Sequence, residues 1–138
     1  MTSPIHHVCR SHPEHMAQVR ACVREAARAF GFDEGTAMRL VLAVDEACTN
    51  IIRHAYKGET EHSIELEMAA HGDTWEVRIR DYGERCPLAQ LKGRDLDDLR
   101  PGGLGLHFIR QTFDEVNFDQ SLEKGTLLIL RKRRLPSS

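Results

Sequence analysis

The chain has 138 residues, 19 basic and 21 acidic, with a net charge of −2 when histidines are neutral. That length suits one domain able to bury a core without disulfide or metal staples, and the near-balanced charge with no face-long basic stripe argues against direct nucleic-acid binding. No apolar run approaches the about 20 residues of a membrane-spanning helix, and the segment from Met1 to His7 lacks the basic and apolar regions of a signal peptide, so a cytoplasmic protein without membrane attachment is expected.

Residues 4–10 read as a first strand. Ser11, with Glu14 three residues later, reads as a capping box opening a helix in which Met16, Val19, Val23, Ala26, Ala27 and Phe30 recur at helical spacing until Gly31. Asp33 is positioned to cap a second helix, whose apolar stripe comprises Ala37, Leu40, Val41, Val44, Cys48, Ile51 and Ala55 and ends before Lys57-Gly58. Ile64, Leu66 and Met68 alternate with polar residues, Gly72-Asp73 supplies a turn, and Trp75, Val77 and Ile79 alternate again, which predicts a hairpin with one covered and one wet face.

Residues 84–101 keep no long period and contain Pro87, Gly93 and Pro101, the pattern of a mobile loop. A helix is predicted from Leu104 to Phe113, followed by strands at Val116-Asn117-Phe118 and Leu127 to Leu130. The sum is one α+β domain over residues 1–138, a two-layer α/β sandwich with a mixed, mostly antiparallel sheet and its helices on one face. The closing Arg131-Lys132-Arg133-Arg134 run reads as a solvated tail, with a docking patch as the alternative.

Several residues have the chemistry of a nucleotide site. Glu46 and Asn50 stand one helical turn apart, with Arg53 and His54 continuing that edge away from the apolar stripe. A carboxylate there can accept a proton from an attacking hydroxyl, and the Asn50 carbonyl is a hard oxygen suited to Mg²⁺; the plainer reading is a solvated helix face. Continuing the alternation of Trp75, Val77 and Ile79 puts Asp81 on the buried side, where a carboxylate needs a partner, either an adenine amino group or else Arg80 or a backbone amide. Gly83 permits close approach of a flat ring or a tight turn. The segment Gly102-Gly103-Leu104-Gly105-Leu106 precedes a helix, where free amides can cradle phosphates, unless it is only a hinge.

Two other chemistries find less support. His6, His7, Cys9, His12 and His15 invite a zinc reading, but they straddle a strand and a helix start without a recognised ligand spacing. The four cysteines, Cys9, Cys22, Cys48 and Cys86, lack C-x-x-C spacing and fit reduced thiols, with Cys48 on the apolar stripe.

The stretch from Leu42 through Asp45-Glu46-Ala47-Cys48-Thr49-Asn50, with His54-Ala55-Tyr56, resembles the N-box of the anti-sigma-factor serine kinases, small relatives of the histidine-kinase, gyrase, Hsp90 and MutL ATPases. The resemblance continues through Gly103-Leu104-Gly105-Leu106-His107-Phe108-Ile109-Arg110 to Gly125-Thr126. It implies ATP and Mg²⁺ as cofactors, Glu46 as catalytic base, Asn50 as the metal ligand, Asp81 as acceptor from the adenine amino group and Gly83 beneath the base. It further implies that Gly103 and Gly105, with Leu104 and Leu106, belong to a lid and closing helix over the phosphates, that Thr126 supports the adenine contact, and that Arg53 neutralises phosphate charge. Arg85, followed by Cys86-Pro87, departs from the pattern of many relatives, which have a second glycine there; Arg94 and Arg100 in the lid could reach a triphosphate.

The activity so implied is that of a serine-protein kinase that binds a sigma factor, phosphorylates an anti-anti-sigma antagonist protein, and forms homodimers through its first strand and helix. The alternative is a nucleotide-responsive binding module in which partner exchange is the switch. A fragment of a sensor histidine kinase fits less well, because the ATPase fold uses up the chain and leaves no phosphoacceptor helical hairpin.

Overall fold

The computed structural model describes residues 4–84 and 103–134, with residues 103–105 described by backbone alone. The expected lid, Arg85 to Pro101, with Cys86, Arg94 and Arg100, lies outside the described residues. Five strands, β1 (Ile5–Arg10), β2 (Ser63–His71), β3 (Thr74–Asp81), β4 (Glu115–Asp119) and β5 (Thr126–Arg133), form one sheet in the order β1-β2-β3-β5-β4. All four pairings are antiparallel, which sharpens the expected mixed sheet.

Helices α1 (Met16–Phe30), α2 (Glu34–Asn50) and α3 (Gly103–Thr112) provide the second layer. The alternating apolar residues of β2, β3 and β5 meet Val19, Val23, Leu40, Val44, Leu106 and Ile109 in a single core. Asp33 caps α2 as its sequence suggests, with the Thr36 N–H donating to Asp33 Oδ1 at 2.7 Å.

Two local expectations are corrected. Ser11 is not a helix cap: it is fully buried, its hydroxyl donating to the Glu59 carbonyl at 2.6 Å and accepting from the His62 N–H at 3.2 Å. Pro13 starts a short 3₁₀ turn (Pro13–His15) before α1, and His12 caps it by accepting from the Glu14 N–H at 3.1 Å.

The C-terminal basic run is not a solvated tail either, because Arg131, Lys132 and Arg133 continue β5 against β3. Arg131 donates to Glu76 at 2.8 Å and to Glu115 at 2.9 Å. Arg134 donates to the Phe30 carbonyl at 2.9 Å with its guanidinium over the Phe30 ring. Glu76 is only 5% exposed although it lies on the open face of the sheet. Burial pushes its carboxyl upward, but the Arg131 hydrogen bond and charge, with His71 and Arg78, outweigh that and hold it below the usual carboxylate range.

A π-helical turn, Ile51–Ala55, extends α2, with the Tyr56 N–H returning to the Ile51 carbonyl at 3.0 Å. The wider turn changes the phase of the helix immediately after Asn50, which sequence periodicity does not reveal.

Candidate functional site

Four of the expected site residues converge on one point. Asn50 from the end of α2, Asp81 from the end of β3, Leu106 from α3 and Thr126 from the start of β5 line a cavity of about 30 Å³, completed by apolar residues including Ile51, Ile109 and Phe118. Space of that size holds about one water, so admitting a purine requires the walls to part. The apolar lining was legible only as core, since Phe118 reaches the cavity through its register opposite Leu128.

Asp81 and Thr126 are cross-strand partners on the buried face. Asp81 is 3% exposed, and its Oδ1 accepts from the Gly83 N–H at 3.0 Å. Burial pushes the Asp81 carboxyl above its ordinary value, partly opposed by the Gly83 hydrogen bond, the Arg80 charge and the Thr126 backbone N–H. Of the alternatives posed by the sequence, backbone amides therefore partner the carboxylate. Arg80 instead donates to the Asp81 carbonyl at 2.6 Å and stacks on Tyr82 at 4.2 Å. Thr126 Oγ1 accepts from Gln120 at 3.2 Å.

Asn50 departs from the expected solvated edge. It is 6% exposed, and its Oδ1 is buried without a hydrogen-bond partner among the described residues. An orphaned buried carbonyl costs about 1–3 kcal/mol, which singles this oxygen out as a candidate ligand atom. A neutral amide oxygen fits Mg²⁺, which takes few protein ligands. Glu46, one turn earlier, is half-buried. Arg53 does not share this place: it is exposed and lines a separate depression with Pro13, Met16, Thr49 and Lys57, because the π turn rotates it off the Glu46–Asn50 edge.

The glycines act through close approach. A Cβ on Gly83 would meet the Ala55 carbonyl and Tyr56 Cδ1, so the loop after β3 lies directly against the end of the π turn, where the Glu84 N–H bonds the Ala55 carbonyl at 3.0 Å. Tyr56 completes the clamp, a role missed at the sequence level although the residue belongs to the His54-Ala55-Tyr56 motif. Its hydroxyl donates to the Ser63 carbonyl at 2.6 Å and accepts from the Tyr82 N–H at 2.8 Å.

Gly125, at φ +76°, packs on the Asp81 backbone, where a Cβ would collide with the Asp81 carbonyl and come within 2.8 Å of Tyr82 Cα. Gly125→Ala is expected to cost about 2–3 kcal/mol, read as a fall in thermal midpoint of about 5–10 °C. Gly103 and Gly105 lie in the first turn of α3.

The zinc reading finds no cluster: among the described residues no three His, Cys, Asp or Glu side chains gather to hold a metal. His15 accepts from the Arg10 N–H at 3.1 Å and His6 pairs with Glu67 at 3.5 Å. Cys48 is fully buried, and burial pushes its thiol far up. No helix among the described residues is long and apolar enough to cross a membrane.

Comparison with known proteins points to one class. The family model of the histidine kinase-like ATPase domain matches residues 9–132. The serine-protein kinase RsbW of Listeria monocytogenes is 32% identical over 128 residues, covering 87% of this chain and 80% of the relative. The serine-protein kinase RsbW of Bacillus subtilis is 32% identical over 113 residues, covering 75% of this chain and 70% of the relative. The chain belongs to the histidine kinase-like ATPase family, within the line of the serine-protein kinase RsbW.

Two solved structures share the fold. The RsbU and RsbW domains of Rv1364c from Mycobacterium tuberculosis match with a TM-score of 0.69 at 22% identity, over 96% of this chain and 32% of that one. The SiaB-SiaC complex from Pseudomonas aeruginosa matches with a TM-score of 0.61 at 20% identity, over 91% of this chain and 87% of that one.

Proposed function

We propose that this protein is an ATP-dependent serine-protein kinase that binds a sigma factor and phosphorylates an anti-anti-sigma antagonist. The observation that carries the reading is the unpaired Asn50 Oδ1 at a cavity shared with buried Asp81 and Thr126, one helical turn from the Glu46 carboxylate. Asp81 accepts from the adenine amino group, Thr126 supports that contact, and Gly83 keeps the loop close beneath the base. Gly103, Leu104, Gly105 and Leu106 carry the phosphate side, where amides at the start of α3 face anions.

Asn50 would hold magnesium, which when bound neutralises charge on the phosphate oxygens. In the transfer, the serine oxygen bonds to the γ-phosphorus, the bond to the β–γ bridging oxygen breaks, and ADP leaves. The serine proton passes to Glu46. Positioning supplies much of the rate. Homodimerisation through β1 and α1 belongs to the same proposal: β1 is an edge strand with Val8 65% exposed.

The test is calorimetric titration with ATP, with and without Mg²⁺, followed by a search for phosphoserine on the antagonist. Magnesium-dependent binding with transfer is expected. Binding without transfer favours the second reading, a nucleotide-responsive binding module, which the closed cavity of about 30 Å³ also suits. No binding in either condition overturns both.

A further inference from the structure

The outward face of α2 carries an apolar stripe that the core does not use. Met38 and Leu42 are 44% and 48% exposed, one turn apart on a helix whose other apolar residues are buried. At about 100° per residue, Leu42, Glu46 and Asn50 step round the helix by about 40° each. Leu42 is exposed, Glu46 is half-buried, and Asn50 lines the cavity. Along α2 the carboxylate thus lies between the exposed Leu42 and the cavity-lining Asn50.

Beyond Glu46 the same outward face leads through Thr49 to Arg53, which the π turn brings into the depression that Pro13 and Lys57 also line. That depression has two cations and no acidic residue in its lining. Lys57 is shared with Glu84 at 3.2 Å, so Arg53 supplies most of the positive character. Asp45, about 20° round the helix from Met38, is tied to Arg20 of α1 at 2.9 Å, which fixes α2 in rotation beside α1.

We propose that this stripe is the docking surface for the phosphoacceptor protein, Met38 and Leu42 entering an apolar patch of the partner and Arg53 meeting an acidic side chain beyond its serine. The proposal rests on reading Glu46 as the base, because a protein whose serine hydroxyl reaches that carboxylate must lie over the residues on either side of it. Apolar anchors before Glu46 and a cation beyond it set the register of docking. A few fully desolvated contacts carry most of the energy of such an interface, and Arg is among the residues enriched there.

The experiment measures affinity for the purified anti-anti-sigma-type protein of the same organism by calorimetry with ATP present, independently of turnover. Leu42→Asp is expected to weaken that affinity at least about tenfold and to leave ATP affinity unchanged. Arg53→Glu is expected to weaken it as well, and more at low salt than at high salt. Asn117→Asp, exposed on β4 and away from both the cavity and β1, is the control and leaves the affinity unaltered.

Unchanged affinity in Leu42→Asp overturns the proposal, as does an equal loss in Asn117→Asp. A wild-type protein that binds ATP but not the antagonist overturns it too, while leaving the nucleotide site intact. A docking loss in Leu42→Asp with no phosphoserine formed by the wild type supports the surface and overturns the kinase reading instead.

Discussion

Replacing Asp81 by asparagine is expected to abolish ATP binding while leaving the ligand-free protein at least as stable as the parent. Asp81 Oδ1 accepts from the Gly83 N–H at 3.0 Å, and the cross-strand Thr126 N–H points its dipole toward the carboxylate closely enough to oppose the rise in its pKa. Both protein partners are donors, and so is an adenine amino group. A carboxylate satisfies all three because it only accepts, whereas an asparagine must turn its own NH₂ toward at least one of them. Keeping the backbone bonds aims the NH₂ at the base, and serving the base breaks the clamp. The expected loss is at least about a hundredfold in affinity, about 3 kcal/mol.

Stability moves in the other direction for an electrostatic reason. The Asp81 carboxyl is raised by burial, so the charged form is disfavoured in the folded state. The stability contributed by its protonated form is fully present below the unfolded carboxylate value of about 3.9 and is lost as pH rises through the higher folded value. The asparagine variant lacks this loss. Thermal midpoints of the two ligand-free proteins, compared across the acid range, should diverge in favour of the variant as pH increases. A variant that retained ATP affinity, or that lost its fold, would remove Asp81 from its assigned role.

The elements that could be read from the sequence are those with unbroken period. Ile64, Leu66 and Met68 alternate, as do Trp75, Val77 and Ile79, and the turn between them contains Gly72, so the hairpin and its covered face follow from pleat geometry. The same alternation correctly buried Asp81, because a side-chain period of two leaves no choice once Ile79 is inside. Asp33 announced the start of α2 because its carboxylate has a local donor within reach, the Thr36 N–H.

What escaped was set by tertiary contacts or by a local departure from regularity. Asn50 reads as the wet edge of a helix; it is buried because α3 and β5 close over it, a fact distributed over Leu106, Thr126 and Leu128. Arg53 shifts away from Asn50 because the helix widens at Ile51–Ala55, and no residue type there signals a π turn. Arg131 looked like part of a tail because its partners, Glu76 and Glu115, are 55 and 16 residues away in sequence. Glu76 was unreadable for the same reason: its carboxylate is buried by the arginines that neutralise it, on a face whose alternation promises solvent.

The second large effect falls on turnover alone. Glu46→Gln is expected to reduce phosphoryl transfer to the antagonist serine by about 10²- to 10⁴-fold while ATP affinity and thermal midpoint stay at parental values. The side chain is half-buried, with no hydrogen bond or ion pair among the described residues, so an isosteric amide disturbs neither packing nor a local network. Glutamine preserves size and reach but cannot take a proton, which separates the basic function from mere occupancy of the position. If Glu46 receives the serine proton in the transition state, the loss appears in kcat with KM for ATP retained. A parallel loss in ATP affinity would instead place Glu46 in ground-state binding, and normal transfer would assign the proton to another acceptor. The contrast with Asp81 is what makes the pair diagnostic: one carboxylate is buried and accepts from the Gly83 N–H before the nucleotide arrives, the other is half-buried with no hydrogen bond among the described residues. Binding and transfer are thereby assigned to different residues, so loss of each has its own measurable signature.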